Sequence, residues 1–319
     1  MKGFDSEFKD LDHYIRVITD RIWEGGRIDD IRRYYSDPCI VDTPAAVSTS
    51  VEEVITGTHA TLAMFPDRRL LAEDILWSGD EEGGFLSSHR IISTMTHRGD
   101  GVFGKATGRV VHARTLADCV CKDNRIVHEW LVRDQGAIAR QIGVEPRDLA
   151  QTWLNQRGGW NKPVAGPAPV GYQSHLSRDA LAQSYAQTIE GFARGGQDVV
   201  VYDEAVHHIG PGETTRYGKK EVFGYWAALF AALQVDTFTV EHLSLNHGGG
   251  RSDRIALRWR ANARHTNHTT DADLFGPASG RPVEIMGINH VELVNGKVVR
   301  EWALVDDIAL WMQILTAQA

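Results

Sequence analysis

Helix-like and strand-like hydrophobic patterns follow one another along the chain in an order that occurs twice. In the first half, apolar residues recur near helical spacing over Leu11–Glu24 and Val51–Phe65, and glycine or proline ends each helix. Alternating runs after the second helix predict strands. The predicted strands are Arg69–Gly79, Gly84–Thr96, Gly108–Lys122 and Arg125–Arg133, and a short helix, Gln135–Ile142, follows them.

The second half shows the same order of patterns. Helical spacing covers Leu181–Arg194 and Lys219–Leu233. Helices gathered before a set of hairpin-connected antiparallel strands predict an α+β fold in each half. The predicted strands of this half are Thr237–Leu245, Arg254–His265, Arg281–Val294 and Lys297–Val305.

An internal repeat accounts for this order. The segment Asn124–Ile142 recurs as Gly296–Ile314, at an offset of 172 residues, and the motif Phe-Gly-x-x-x-Gly-Arg recurs at that offset from Phe103 to Phe275. Two blocks in one register indicate a duplicated domain. We expect a first domain at 1–142, a linker at 143–177 and a second domain at 178–319. Identical pairs in the longer segment are Val127/Val299, Glu129/Glu301, Trp130/Trp302, Asp134/Asp306, Ala137/Ala309, Gln141/Gln313 and Ile142/Ile314.

Composition limits the expected partners. The 319 residues carry a formal net charge of −8 without a basic run, so nucleic acid is not an expected partner. No apolar run approaches the ~18 residues that span a membrane, and the N-terminus lacks an apolar signal core. Cys39, Cys119 and Cys121 form neither a disulfide framework nor a zinc spacing, and a reducing cytoplasm is the expected location.

The sequence lacks the motifs of several common functional sites. The chain has no Gly-rich phosphate loop, no Ser-His-Asp elbow and no nucleotide fingerprint. Its histidines and aspartates match no closed zinc pattern and no calcium loop. We therefore expect neither a metal nor a cofactor.

The last hairpin of each half decides which residues share a sheet face. We interpret Val294-Asn295-Gly296 as a three-residue loop, because this register groups the ionisable residues with the repeated Trp-x-x-x-Asp. A two-residue type I′ turn would move His290 and Asp118 to the other face. The predicted opposing pairs are His290/Arg300, Ile288/Trp302 and Glu284/Asp306, and in the first half Asp118/His128, Leu116/Trp130 and His112/Asp134.

Asp134 and Asp306 are the strongest candidates for chemistry. Each follows a mostly apolar strand and precedes an apolar helix, so each lies where a sheet face could line a cavity. A helix N-cap explains the same position, and position alone favours capping. Trp130 and Trp302 lie four residues earlier on the same face, as core aromatics or as a cavity wall.

Two other repeated pairs of polar residues have simpler explanations. Glu129 and Glu301 alternate to the opposite strand face, where we expect a solvated or interface role. His97 and His265 stand before the Phe-Gly-x-x-x-Gly-Arg motif. A lone histidine is more often structural or exposed than catalytic, and substrate binding is the alternative.

The residues around the second copy of the repeat resemble the SnoaL-like polyketide cyclase (ester cyclase) family. The resemblance rests on His265, on the Phe275 motif, and on Gly296-Lys297-Val298-Val299-x-Glu301-Trp302-x-x-x-Asp306. The first copy is similar and adds Phe65-Pro66-Asp67, with Asn124-Arg125-Ile126 where the family usually has Gly-Lys-Ile. The resemblance covers about 11–142 and 178–315.

This resemblance implies a cone-shaped fold of the nuclear transport factor 2-like superfamily in each half. A strongly curved antiparallel sheet would wrap around about three helices and leave an apolar cavity open at one end. Family members close a polyketide ring by an intramolecular aldol reaction without metal or cofactor. They commonly dimerise through their sheets, which implies an internal pseudo-dimer with Glu129 and Glu301 near the contact, and also allows a homodimer.

The resemblance also assigns residues. An aspartate matching Asp134 and Asp306 serves as the acid–base, and a histidine on the preceding strand binds the substrate. That histidine carries over only near His290, two residues from the usual place, where Glu292 stands, and Asp118 replaces it in the first copy.

Proton abstraction beside a carbonyl needs a carboxylate in a partly dry pocket and a donor for the enolate. Arg300 or His290 could be that donor in the second copy, and His128 or His112 in the first. We favour the second copy as the working site, because Asp118 would oppose an anion in the first. The longer loop of the second copy, Thr266–Leu274, could cover the cavity.

The leading interpretation is thus a cofactor-independent acid–base enzyme that acts on a small apolar carbonyl compound. A non-catalytic module that binds a small molecule is the alternative from another class, since a fold does not fix a function. An isomerase, dehydratase or hydrolase that uses the same carboxylate is the alternative within enzymes.

Overall fold

A computed structural model describes residues 1–166, 176–250, 252–266 and 274–316. These residues form two compact units. The first consists of Met1–Glu145 with 161–166, and the second consists of Pro146–Trp160 with the described residues from 176 onward. The predicted loop Thr266–Leu274 lies almost entirely outside the described residues.

The first unit begins with helices and continues with strands, in the predicted order. Its first helix, α1, passes into a short π-helix at Asp20–Glu24, and a 3₁₀ turn at Ile28–Asp30 leads into α2. Asp10 caps the first helix by accepting a hydrogen bond from the backbone N–H of His13 at 2.8 Å. The elements are α1 Leu11–Thr19, α2 Ile31–Tyr34, β1 Tyr35–Thr43, β2 Ala46–Ser48, α3 Val51–Met64, β3 Arg69–Asp80, β4 Gly84–Thr96, β5 Val110–Lys122, β6 Arg125–Arg133 and α4 Gln135–Ile142.

The second unit repeats this order and adds one helix. The added helix, α5, comes from the predicted linker, so that segment is not purely a connection. Within the unit, the Arg147 guanidinium lies 5.8 Å from the ring centre of Trp311 in the last helix. The elements are α5 Pro146–Arg157, α6 Ala180–Ala193, β7 Tyr202–Gly210, β8 Thr214–Tyr217, α7 Gly218–Ala232, β9 Leu233–Asn246, β10 Asp253–His265, β11 Pro282–Val294, β12 Lys297–Val305 and α8 Asp307–Leu315.

Each unit contains one six-stranded sheet within the described residues, and the two sheets have the same topology. The strand order is β2-β1-β6-β5-β4-β3 in the first unit and β8-β7-β12-β11-β10-β9 in the second. The α+β prediction is confirmed, and the sheets are mixed where antiparallel sheets were expected. The β1/β6 and β7/β12 pairs are parallel, so both sheets are mixed.

The hairpins before the last helices differ from the predicted register. Asn295 and Gly296 both have positive φ, 51° and 71°, and Val294 pairs with Lys297, so the turn is the two-residue type I′ form. A β-bulge follows between Glu292 and Leu293. The bulge adds one residue and returns His290 to the face of Trp302, so the predicted face is right although the predicted pairs are wrong.

The observed pairs are shifted by two residues from the predicted ones in both units. His290 lies opposite Trp302, and Asp118 lies opposite Trp130. The first unit reaches this register in the same way. Asp123 and Asn124 form its turn with positive φ, and a bulge lies between Val120 and Cys121.

The core of each unit lies between its helices and one face of its sheet. In the second unit this inner face carries Leu257, Trp259, Val291 and Ala303 against the buried residues of α6 and α7. In the first unit the inner face packs against α1 and α2. Glu301 on β12 is the cross-strand partner of Val291, so its side chain also points toward the helices.

The repeated glutamines fasten the helices that follow the last strands. The Gln141 side chain accepts a hydrogen bond from the His112 backbone N–H at 2.9 Å and donates one to the His112 carbonyl at 2.6 Å. Gln313 makes the same two bonds with the backbone of Glu284. Each amide thus replaces a missing strand partner, which gives this repeated residue a structural role.

Among the described residues, every helix is too short or too polar to span a bilayer.

Candidate functional site

Glu301 forms a buried polar centre on the inner face of the second sheet. Its side chain has no exposed surface. The hydroxyls of Tyr185 and Tyr202 donate to Glu301 Oε1 at 2.5 Å and 3.0 Å, and the Trp226 indole N–H lies 3.4 Å from Oε2. A carboxylate that is removed from water but held by several donors is a group that can exchange a proton.

Four elements bring these side chains together. Tyr185 belongs to the buried stripe of α6, together with Ala182 and Ile189, which recur at helical spacing. Trp226 occupies the equivalent stripe of α7, and Tyr202 begins β7. The hydroxyl and indole groups reach Glu301 because apolar packing fixes each of these elements against the sheet.

A second layer of hydrogen bonds orients Tyr185. The Asn289 side-chain amide donates to the Tyr185 hydroxyl oxygen at 2.8 Å, and the Trp259 indole N–H donates to Asn289 Oδ1 at 3.1 Å. Gly287 makes room for this arrangement, since a Cβ at that position would lie 2.2 Å from the Trp259 ring. The Tyr185 hydrogen therefore points at Glu301.

Burial controls the charge of this centre. Loss of water raises the pKa of Glu301 to about 7, while the hydrogen bonds from Tyr185, Tyr202 and Trp226 oppose that rise. Burial raises the pKa of both tyrosines well above the ordinary range, so they stay protonated donors. Glu301 is therefore the group of this centre that changes charge near neutral pH.

The first unit contains a simpler version of the same centre. Glu129 is buried, accepts a hydrogen bond from the Tyr35 hydroxyl at 3.0 Å, and has its pKa raised to about 7 by burial. Tyr35 and Tyr202 are equivalent, since they pair with Ile126 and Val298, which are 172 residues apart. A buried Tyr–Glu pair is thus common to both units.

The remaining donors occur only in the second unit. Strand pairing places Ala117 at the position of Asn289 and Ile91 at that of Trp259. Around Glu129 lie Cys39 and Cys119, whose thiol pKa values burial raises above the ordinary range. The first unit therefore surrounds its glutamate with inert thiols, where the second supplies hydrogen-bond donors.

The sequence-based candidates Asp134 and Asp306 lie at helix starts and are buried. Asp134 Oδ1 accepts a hydrogen bond from the Ala137 backbone N–H at 2.8 Å. Asp306 Oδ1 accepts from the N–H groups of Ile308 at 3.0 Å and Ala309 at 3.2 Å. Both residues are therefore N-caps, although neither faces solvent, and a catalytic role for them stays a prediction.

Five other candidates are buried on the sheet face that points away from the helices. Asp118 accepts a hydrogen bond from the Ser88 hydroxyl at 2.5 Å. The rings of His128 and Trp130 lie 4.1 Å apart, with a tilt of 31°. His290 and Trp302 are cross-strand partners. The strand alternation therefore separates all of them from Glu129 and Glu301.

Three candidates lie in solvent instead of in a pocket. Arg300 forms an exposed ion pair with Glu292 at 2.5 Å, and Glu284 forms one with Arg260 at 2.7 Å. His112 is exposed, and its backbone is bonded to Gln141. The predicted grouping of Glu284 and Arg300 with Asp306 around a substrate is therefore not what the structure contains, because the register differs.

His97 and His265 hold the loop of the Phe-Gly-x-x-x-Gly-Arg motif. The backbone of His265 bonds to Gly280 and Arg281, and its ring lies 2.9 Å from the Ser279 hydroxyl. His97 makes the same backbone bonds with Gly108 and Arg109. Both rings are buried, and this geometry assigns a structural role to both residues.

Sequence reasoning missed the glutamate centres although Glu129 and Glu301 were among the repeated residues. Of the expected solvated or interface role, the solvated alternative is wrong, because the face opposite the tryptophans packs against helices. Tyr35 and Tyr202 are 167 residues apart, so a repeat followed at an offset of 172 does not reveal them. A search for tyrosines at shifted offsets could have found the pair.

Two segments of the chain match the sequence model of the SnoaL-like polyketide cyclase family, at residues 14–142 and 197–314. These segments include both Tyr–Glu pairs and make up more than half of the chain. The chain therefore belongs to the SnoaL-like polyketide cyclase family. This membership supports a function of cyclase or isomerase type.

Solved structures and curated proteins add the following comparisons. IdmH from Streptomyces antibioticus is 22% identical, with a TM-score of 0.37, over 42% of this chain and 98% of that chain. AclR from Streptomyces galilaeus is 17% identical, with a TM-score of 0.36, over 42% and 98% of the respective chains. No curated protein matches the chain.

Proposed function

We propose that this protein is a cofactor-independent acid–base enzyme of polyketide-cyclase type, and that Glu301 of the second unit is its proton acceptor. The observation that carries the proposal is the buried Glu301 carboxyl with its donors Tyr185, Tyr202 and Trp226. The substrate class is a small, mostly apolar compound with a carbonyl group. Family membership supports the same type of reaction.

The two carboxyl oxygens of Glu301 have different tasks in this mechanism. Oε1 already accepts two short hydrogen bonds from tyrosines, which fix the carboxyl plane. Oε2 accepts a single, long hydrogen bond, from Trp226, so it has the capacity to accept the substrate proton. A base with a pKa of about 7 is ionised often enough at neutral pH and still holds a proton well.

The negative charge that proton removal leaves on the substrate needs a donor. His208 lies with Nε2 3.8 Å from Glu301 Oε2, and burial together with the charge of Arg216 lowers its pKa to about 3. His208 is thus neutral and offers one N–H to an enolate oxygen. In a ring closure, the enolate carbon then attacks a second carbonyl of the same molecule, and the stored proton goes to the new alkoxide.

Asp306 is the second candidate for the base, because the family resemblance assigns the acid–base role to its position. Its Oδ1 accepts two backbone hydrogen bonds at the start of α8, which occupies that oxygen. Asp134 stands in the same position in the first unit. Substitution of these residues separates the two proposals for the base.

The test is the exchange of α-protons of a ketone panel in D₂O, followed by proton NMR. Wild type is expected to accelerate exchange for at least one ketone. Glu301→Gln preserves shape and removes the proton acceptor, so exchange should fall by about 10²–10⁴-fold, the usual contribution of a general base. Asp306→Asn should keep most of the activity.

The other outcomes are equally informative. Loss with Asp306→Asn and retention with Glu301→Gln would transfer the base to Asp306 and contradict the assignment to Glu301. Binding of ketones by wild type without any exchange would favour the non-catalytic binding module.

A further inference from the structure

A polar cluster lies beside Glu301 on the edge strands of the second sheet. It consists of His208 on β7, Arg216 on β8 and Tyr225 on α7. His208 and Arg216 are cross-strand neighbours, and the rings of His208 and Tyr225 are 4.5 Å apart. The Arg216 guanidinium carbon lies 4.6 Å from the centre of the Tyr225 ring.

Two members of this cluster have unused hydrogen-bonding groups. Nδ1 and Nε2 of His208 are buried, and neither has a hydrogen-bond partner among the described residues. The same holds for Nη1 of Arg216, and no described acidic side chain forms an ion pair with this arginine. Buried donors without partners are costly, so this arrangement favours a ligand that accepts from both residues.

A glycine lets the side chains of His208 and Arg216 pack closely against the backbone of β7. A Cβ at Gly210 would lie 2.6 Å from His208 Cε1 and 3.0 Å from Arg216 Nη1. Gly210 has a φ of −111°, which any residue can adopt, so its backbone does not require glycine. The small residue instead permits the close approach of the imidazole and the guanidinium.

The first unit has no counterpart of this cluster. By strand pairing, Val41 and Ser48 occupy the positions of His208 and Arg216, and Thr43 occupies that of Gly210. Gly57 of α3 occupies the position of Tyr225 of α7. The two helices can be aligned because their last residues, Met64 and Ala232, accept equivalent backbone hydrogen bonds from the residues that follow His97 and His265. Cation, imidazole, phenol and glycine therefore occur together only beside Glu301 within the described residues.

We propose that Arg216, His208 and Tyr225 form a subsite that binds the carboxylate of a keto acid and holds its carbonyl-bearing chain beside Glu301. A guanidinium presents its N–H groups in a planar fork that fits a carboxylate, and the free His208 nitrogen is placed to donate to the neighbouring carbonyl oxygen. The keto part of this assignment rests on the proposed function, whereas carboxylate binding rests on the cluster itself.

Charge explains why an acid and not a neutral ketone is the better ligand. The Arg216 charge is half-buried without a carboxylate partner, so an anion gains a charge-assisted hydrogen bond there. A bond of that kind contributes enough to distinguish an acid from its ester by about tenfold or more. Glu301 can hold a proton near neutral pH, which limits the repulsion between the two carboxyl groups.

The experiment compares 3-benzoylpropionate with its methyl ester by isothermal titration calorimetry on the full chain. The two compounds share the ketone and the ring and differ in charge. Wild type should bind the acid about tenfold or more tightly than the ester. Arg216→Gln should reduce this preference to about twofold or less, and Arg216→Lys should give an intermediate value, since lysine keeps the charge without the fork.

Three further variants make the result specific. Arg194→Gln changes the exposed arginine that follows α6 and pairs with Glu190, and it should leave the preference unchanged. Gly210→Ala would displace the imidazole of His208 and the guanidinium of Arg216 without altering charge, and it should lower acid binding. Glu301→Gln should keep the preference while it abolishes proton exchange, so the subsite and the proposed function can fail separately.

The proposal is overturned if the acid shows no binding at millimolar concentration, or if wild type binds acid and ester equally. It is also overturned if Arg216→Gln keeps the full preference while circular dichroism shows a folded chain. Loss of the preference with Arg216→Gln and its retention with Arg194→Gln would support the subsite.

Discussion

The two units hold the same buried glutamate in different surroundings. Glu129 accepts a hydrogen bond from Tyr35 and lies near the thiols of Cys39 and Cys119. Glu301 accepts hydrogen bonds from two tyrosines and a tryptophan, and His208 lies 3.8 Å away. Burial nevertheless raises the pKa of both glutamates to about 7.

This comparison separates the source of basicity from the source of specificity. Because both pKa values are similar, the shift belongs to the buried strand position that the units share, and not to the surrounding donors. The donors of the second unit add a fixed orientation of the carboxyl group. We infer that duplication preserved a buried acid–base group and that only the second copy retained or acquired the groups that direct it.

The largest expected effect of a single substitution on stability concerns the contact between Gly287 and Trp259, which only the second unit contains. In Gly287→Ala, the added Cβ would lie 2.2 Å from the Trp259 ring, so the indole and its bond to Asn289 must move. Overpacking of this kind costs about 3 kcal/mol. Chemical unfolding followed by tryptophan fluorescence measures the change.

The matched control is Gly224→Ala, in the middle of α7. A Cβ there meets no atom within 4 Å, and alanine favours a helix by about 0.5–1 kcal/mol. Equal effects of the two substitutions would show that the Trp259 contact does not constrain the centre.

An effect of similar size for each residue follows from the pKa values of the glutamates. Both are raised in the folded protein, so each glutamate binds more protons in the folded than in the unfolded state between pH 4.5 and about 7. The contribution of each glutamate to stability should therefore fall by about 3 kcal/mol as the pH rises through this window, while the buried His208 and His89, whose pKa values burial lowers to about 3, contribute in the opposite direction below pH 6.5. The facing groups Tyr185, Tyr202 and His208 stay uncharged throughout the upper part of the window.

Denaturant unfolding at a series of pH values checks this prediction. Glu301→Gln and Glu129→Gln should each remove one such contribution, so the free energy of unfolding of wild type minus that of each variant should fall as the pH rises through the window. A difference that stays constant with pH would contradict the raised pKa values.

The smallest expected effects concern the two caps. Asp134→Ala and Asp306→Ala should each destabilise the chain by about 1 kcal/mol, the usual cost of losing an N-cap. Asp134 Oδ1 accepts from the Ala137 N–H, and Asp306 Oδ1 accepts from the Ile308 and Ala309 N–H groups. Thermal unfolding of both variants measures the loss, and a variant as stable as wild type would show that its helix does not depend on the cap.

Much of the fold could be predicted from local patterns. Strands β4, β6 and β12 have the predicted bounds, because alternation and turn residues mark both ends of each strand. The parallel pairing of β1 with β6 was missed, because an antiparallel sheet was expected. Parallel pairing joins residues about ninety positions apart in sequence, and no local pattern encodes it.

The register and the site were harder to predict for one physical reason. A bulge of a single residue, such as the one at Glu292–Leu293, changes the face of everything beyond it and leaves almost no mark on the hydrophobic pattern. Charge likewise misled the interpretation of Glu301, since acidic strand residues are usually solvated. Its burial depends on Tyr185 and Trp226, which lie on other elements far away in sequence.

The central claim is that the second unit performs the acid–base chemistry and the first does not. The most direct measurement compares Glu301→Gln with Glu129→Gln in the α-proton exchange assay. Both substitutions remove a buried carboxyl with a pKa of about 7, so they are matched in chemistry and burial. The account predicts a loss of about 10²-fold or more for Glu301→Gln and activity within about twofold of wild type for Glu129→Gln. Equal losses in both variants, or loss only with Glu129→Gln, would contradict it.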